Sequence, residues 1–180
     1  MVTAKSKTLD MVYIAIGAVL IAICSWISIP TVVPFTLQTF GVFAVTGLLG
    51  GKRGTCSVLI YILLGMIGIP VFAGFTGGLG ILLGNTGGYI IGFLGSSLLI
   101  WAMEKLPGNP TVRMILSMIA GLVVCYGFGT VWFLMMYTRN TGTVGLITVL
   151  GWCVIPFIIP DFIKIILAAV LIKRLGKYVQ

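Results

Sequence analysis

Histidine is missing from all 180 residues, and only three carboxylates, Asp10, Glu104 and Asp161, stand beside eleven lysines and arginines. The absence of histidine removes Ser–His and Cys–His nucleophiles, HExxH zinc chemistry and histidine haem ligation together. Cysteines are few: Cys24, Cys56, Cys125 and Cys153 each lie in an apolar segment without CxxC or other ligand spacing. They read as small buried hydrophobes. With so few ionisable groups, no catalytic residue and no metal ligand is assigned, and an enzyme is not expected.

Charge of either sign is scarce. Only 8% of residues are charged, 59% are hydrophobic, and the mean hydropathy is +1.22. Soluble domains carry about a quarter charged residues, so this composition belongs to an integral membrane protein. The net charge of +8 is spread in ones and twos between apolar runs. That spacing suits membrane topology rather than a phosphate-tracking patch. The first eight residues are too short and polar for a cleavable leader, so the first apolar segment is expected to stay in the mature chain.

What is present is a series of apolar stretches: Met11–Ile29, Phe35–Gly50, Gly54–Phe72, Gly87–Met103, Met114–Tyr137 and Val144–Ile172. A crossing helix needs about 20 residues, fewer where neighbours shorten the path. The simplest reading is one all-α integral membrane domain over residues 1–180, a six-transmembrane-helix bundle with both termini cytoplasmic. Lys5, Lys7, Lys52, Arg53, Lys105, Arg113, Lys173, Arg174 and Lys177 then fall inside, and only Arg139 falls in an outer loop. The positive-inside rule asks for that bias, and a seventh crossing would put the C-terminal basic residues outside. Val144–Ile155 is therefore expected to be a re-entrant or tilted piece. The last helix is expected to start near Pro160, since proline at a helix start forgoes no hydrogen bond.

Two extracellular loops look structured: SIPTVVPFTLQTF at 28–40 and GFTGGLGILLGNTGGY at 74–89, uncharged and rich in glycine, threonine, amide and aromatic residues. Irregular backbone at membrane depth is tolerated only when buried in protein or lining a cavity. On the same side, in the otherwise apolar tract Ile155–Ile172, lie Asp161 and Lys164. An ionisable residue at membrane depth costs about 2.5–3.5 kcal/mol, so it calls for a partner or a task. Their i, i+3 spacing puts both on one helix face, where they pair with each other or share a ligand. The pattern reads as a small-molecule pocket open to the outside. The plainer alternative is a snorkelling Lys164 that only pairs with Asp161. In the first helix, Ala18-x-x-x-Ala22 is a small-residue pair of the kind that lets another helix approach closely.

The runs IPTVVPFTLQTFGV (29–42), LLGGKRG (48–54), GIPVFAGFTGGLGILLGNTGGYIIGF (68–93) and PFIIPDFIKIILAAVLIKRL (156–175) resemble the BioY family. These are the biotin-specific substrate-binding (S) components of energy-coupling factor transporters. The chain departs at Asn85, where the family usually has proline, and at Ile159–Pro160, where it usually has Pro-Gly before the aspartate. The resemblance implies capture of extracellular biotin at the plasma membrane of a prokaryote. Delivery to the cytoplasm would involve a transmembrane coupling protein and two ABC ATPases. ATP would be used by those partners alone, in keeping with the lack of any GxxxxGK[ST] sequence here, and no cofactor is expected.

For biotin, with its carboxylate, ureido ring and apolar body, Lys164 is the available intramembrane cation and is assigned to the carboxylate. Asp161 orients it, accepts a ureido N–H, or serves as a charge near a helix N-terminus. Thr76, Asn85 and Gln38 are neutral groups for the ureido edge, while Gln38 and Thr36 serve equally to satisfy loop backbone at the start of the second helix. Tyr89 closes the pocket or sits in the interfacial aromatic belt. Ala18 and Ala22 match the alanine motif by which such components dock on the coupling protein. An S component for another vitamin and a ligand-free membrane scaffold are the alternative readings.

Overall fold

The computed structural model describes residues 2–179, which form a predominantly helical bundle. In chain order come α1 (Val2–Trp26), strands β1 (Ser28–Ile29) and β2 (Phe35–Thr36), α2 (Gln38–Leu49) and α3 (Gly51–Met66). A 3-10 turn (Ala73–Phe75), α4 (Leu79–Leu82), α5 (Gly87–Met103), α6 (Pro110–Asn140), α7 (Leu146–Cys153) and α8 (Ile155–Val179) follow. The strands pair antiparallel, Ser28 opposite Thr36 and Ile29 opposite Phe35. Helix α6 starts on local chemistry: Asn109 Oδ1 accepts from the Thr111 backbone N–H at 3.0 Å, and Pro110 sits where its missing donor is not needed.

Among the described residues, three spans are long and apolar enough to cross a membrane: Lys7–Trp26, Pro110–Asn140 and Leu146–Lys177, the last made of α7 and α8 together. Helix α2 is shorter, with 12 residues, about 18 Å at 1.5 Å per residue. It packs against α1, α3, α5 and α8. Its Val42, Phe43 and Val45 lie in the core with Ile21, Val58 and Ile165. The outer faces of α1, α6 and α8 instead expose residues such as Ile16, Val123 and Ile166, a surface made for lipid rather than water.

The structure corrects several expectations. The last helix begins at Ile155, and Pro160 lies within it. The ring removes the bond its nitrogen would have donated to the Pro156 carbonyl and crowds that carbonyl, yet the helix runs on through it to Val179. The expected separate piece before it is α7, broken from α8 at Val154. Lys52 and Arg53 occupy the first turn of α3 because Gly50 alone separates it from α2. Arg139 occupies the last turn of α6 rather than a loop, beside the negative end of the helix dipole. Cys24 and Cys56 are half-buried, whereas Cys125 and Cys153 are buried.

Ala18 and Ala22 also depart from expectation. They are 2% and 4% exposed, turned into the bundle. Small residues there let α1 lie close to α2 and α3. Buried in this way, they present no surface to a partner helix.

Candidate ligand cavity

One cavity of about 270 Å³ brings the two structured loops and α8 together. That is just under the roughly 300–1,000 Å³ of small-molecule sites. Asp161 and Lys164 form part of its lining and are 2% and 4% exposed. Lys164 Nζ donates to Asp161 Oδ1 at 2.7 Å. Tyr126 OH, from α6, donates to Asp161 Oδ2 at 2.5 Å. Both carboxylate oxygens therefore carry a partner, as a buried charge requires.

Lys164 has a second neighbour. Its Nζ lies 4.7 Å from the centroid of the Phe35 ring, a cation–π distance. Phe35 stacks on Phe157 at 5.2 Å. Strand β2 thus places an aromatic roof over the cation while α8 supplies the floor.

Thr36 Oγ1 accepts from the Gln38 backbone N–H at 3.2 Å, a local turn contact at the start of α2. Gln38 Nε2 donates to Tyr61 OH at 2.9 Å, and Tyr61 OH donates to Ser25 Oγ at 3.3 Å. Thr76 Oγ1 donates to the Ala73 carbonyl at 2.9 Å, closing the turn in the glycine-rich loop. Trp26 Nε1 donates to the Pro70 carbonyl at 2.8 Å and stacks on Phe75 at 5.0 Å. Phe75 itself has φ 57°, an unfavourable backbone for a side chain of that size. The stacking holds it there.

Tyr89 OH lies 3.2 Å from Thr130 Oγ1. Its ring packs so closely on Gly129 that a Cβ there would come within 2.2 Å of it. Only glycine at 129 lets the α5–α6 seam close around this wall of the cavity.

Lys164, Asp161, Thr76, Tyr89, Gln38 and Thr36 all line the cavity. Asn85 does not, and its neighbour Thr86 does. The loop after α6 contributes no lining residue, while Cys125, Cys153 and Phe157 do. Sequence reasoning missed Tyr126 and Phe35. A tyrosine in the middle of an apolar helix was the available signal for the first, since a buried carboxylate needs more than one donor.

A sequence profile of the BioY family matches residues 1–180. The chain belongs to the BioY family. Among BioY relatives, the biotin transporter BioY of Thermotoga maritima is 39% identical over 172 residues, covering 93% of this chain and 96% of its own. The biotin transporter BioY2 of Lactococcus lactis subsp. cremoris is 35% identical over 168 residues, covering 92% of this chain and 89% of its own. The crystal structure of the S component for biotin from an ECF-type ABC transporter superposes with a TM-score of 0.84 at 31% identity, covering 96% of this chain and 93% of that one.

Proposed function

We propose that this chain is the biotin-binding S component of an energy-coupling factor uptake system in a prokaryotic plasma membrane. In this reading α1, α2, α3, α5, α6 and α8 make six crossings, both termini are cytoplasmic, and the cavity opens to the outside. A coupling protein and two ABC ATPases complete the transporter and consume the ATP. Family membership and the names of the relatives support the choice of ligand. Within the cavity, the carrying observation is the buried, mutually neutralised Asp161–Lys164 pair.

The charge on that pair decides how biotin sits. A ligand carboxylate against Lys164 would leave one net negative charge in a buried space, at a cost of several kcal/mol. A ureido ring is neutral, with two N–H donors and one carbonyl acceptor. Asp161 accepts one N–H, Lys164 donates to the carbonyl, and the pair stays balanced. We therefore place the ureido ring on the dyad and the carboxylate toward the loops, reversing the assignment that Lys164 alone suggested. Gln38, Thr36 and Thr76 stand along the walls with Tyr89, and Thr86 takes the position first given to Asn85. The thiophane ring and chain lie against Phe93, Leu122 and Ile90.

The test is purification in mild detergent, mass spectrometry of the extracted small molecule, and calorimetry against a panel of vitamins. Biotin should be recovered and should bind. Another vitamin in its place, or no bound small molecule with no heat on adding biotin, overturns the reading.

A further inference from the structure

Away from the Asp161–Lys164 dyad, a second cavity of about 240 Å³ lies between α2, α5, α6 and α8 and shares no lining residue with the first. Lys173, on its rim, is nine residues beyond Lys164, about 14 Å along the helix at 1.5 Å per residue. Its polar lining is Thr46, Glu104, Thr111, Arg113, Ser117 and Lys173.

Thr46 is fully buried, and its Oγ1 has no hydrogen-bond partner among the described residues. A threonine inside a helix often returns its hydroxyl to the carbonyl four residues back, but Thr46 does not. A buried hydroxyl without a partner is a net cost. Thr46 is packed tightly on α3, where a Cβ added at Gly54 would lie 2.4 Å from its Cα.

The charged groups are partly committed. Arg113 Nη1 donates to the Leu106 carbonyl at 2.5 Å, which orients the guanidinium and leaves its other donors available. Both Glu104 oxygens accept the Gly51 backbone N–H, at 2.9 and 3.0 Å, at the start of α3. Ser117 Oγ donates to the Met114 carbonyl at 2.8 Å, which leaves it as an acceptor. Two cations and one carboxylate leave the lining with one net positive charge. Next to it on α8 lies a shallow hollow formed by Val170, Lys173, Arg174 and Lys177. A basic pocket between helices at the end of a membrane bundle sits at the level of lipid headgroups.

We propose that this second cavity binds the phosphodiester headgroup of a membrane phospholipid. The phosphate lies between Arg113 and Lys173, and Thr46 donates its hydroxyl to a phosphate oxygen. The ammonium or hydroxyl group of the headgroup turns toward Glu104 and Ser117. A free phosphate ester shares this chemistry, and the experiment separates the two.

Thermal unfolding of the full chain in detergent is followed with added phosphatidylethanolamine, phosphatidylglycerol, diacylglycerol or soluble glycerol phosphate. The phosphodiester lipids should raise Tm by about 3–6 °C at about tenfold excess over Kd. Diacylglycerol and glycerol phosphate should not. The double change Arg113→Gln with Lys173→Gln, and separately the isosteric Thr46→Val, should each at least halve the rise, while Lys52→Gln keeps it. An equal shift from diacylglycerol, or one that survives in Thr46→Val and the double variant, overturns the site. An equal shift from glycerol phosphate overturns the lipid as its source. Biotin binding on the same preparations should be unchanged, which keeps this result separate from the function proposed above.

Discussion

Asp161 and Lys164 were legible from the chain because two ionisable groups in an apolar tract are too costly to keep there without a partner or a task. What completes them was not. Tyr126 is 35 residues from Asp161 in sequence, and Phe35 reaches Lys164 from the far end of the chain. Only the packing of α6 and β2 against α8 brings them in. Tyr126→Phe removes one donor and keeps the shape. A hydrogen bond to a charged group contributes about 1.5–3 kcal/mol to stability, so thermal unfolding should show a loss of that order while the helical circular dichroism is retained. Lys164→Ala strands a buried carboxylate and should lower stability by about 3–5 kcal/mol in thermal unfolding. It should weaken biotin and biotin methyl ester alike if, as proposed, the dyad meets the ureido ring. A loss confined to free biotin would return Lys164 to the carboxylate.

At the scale of elements, the helix starts with local chemistry were readable and those set by tertiary packing were not. Asn109 and Pro110 announce α6 from their own side chains. Pro160 announced a start that α8 does not use, since the helix already begins at Ile155 and carries the proline within it. Pro160→Ala restores the donor that the ring removes, so Tm should be unchanged or raised; a fall would place Pro160 back at the helix start. Ala18 and Ala22 show a different limit. Their spacing permits close approach of any helix, and whether that helix belongs to the same chain is decided by which way α1 turns. Gly129 is the counterpart in α6. Gly129→Val should push Tyr89 off its seat and cost about 1–3 kcal/mol of stability, read by thermal unfolding, with biotin affinity falling as well.

The whole molecule is a bundle whose loops fold back into it, with Arg113 and Lys173 lining one cavity and Lys173, Arg174 and Lys177 a hollow beside it. Thr31 and Lys105, both exposed, lie on opposite sides of the membrane in the proposed topology. With the native cysteines replaced, a membrane-impermeant thiol reagent should label Thr31→Cys in intact cells and Lys105→Cys only after permeabilisation. Labelling of both in intact cells would contradict two cytoplasmic termini joined by six crossings. The claim on which the rest depends is that a neutral, buried ion pair lining the cavity reads the ureido ring of biotin. Calorimetric titration of the purified chain with biotin, biotin methyl ester and the diamine lacking the ureido carbonyl tests it directly. Biotin and the ester should bind and the diamine should not; binding of the diamine as tightly as biotin, or failure of the ester alone, would contradict it.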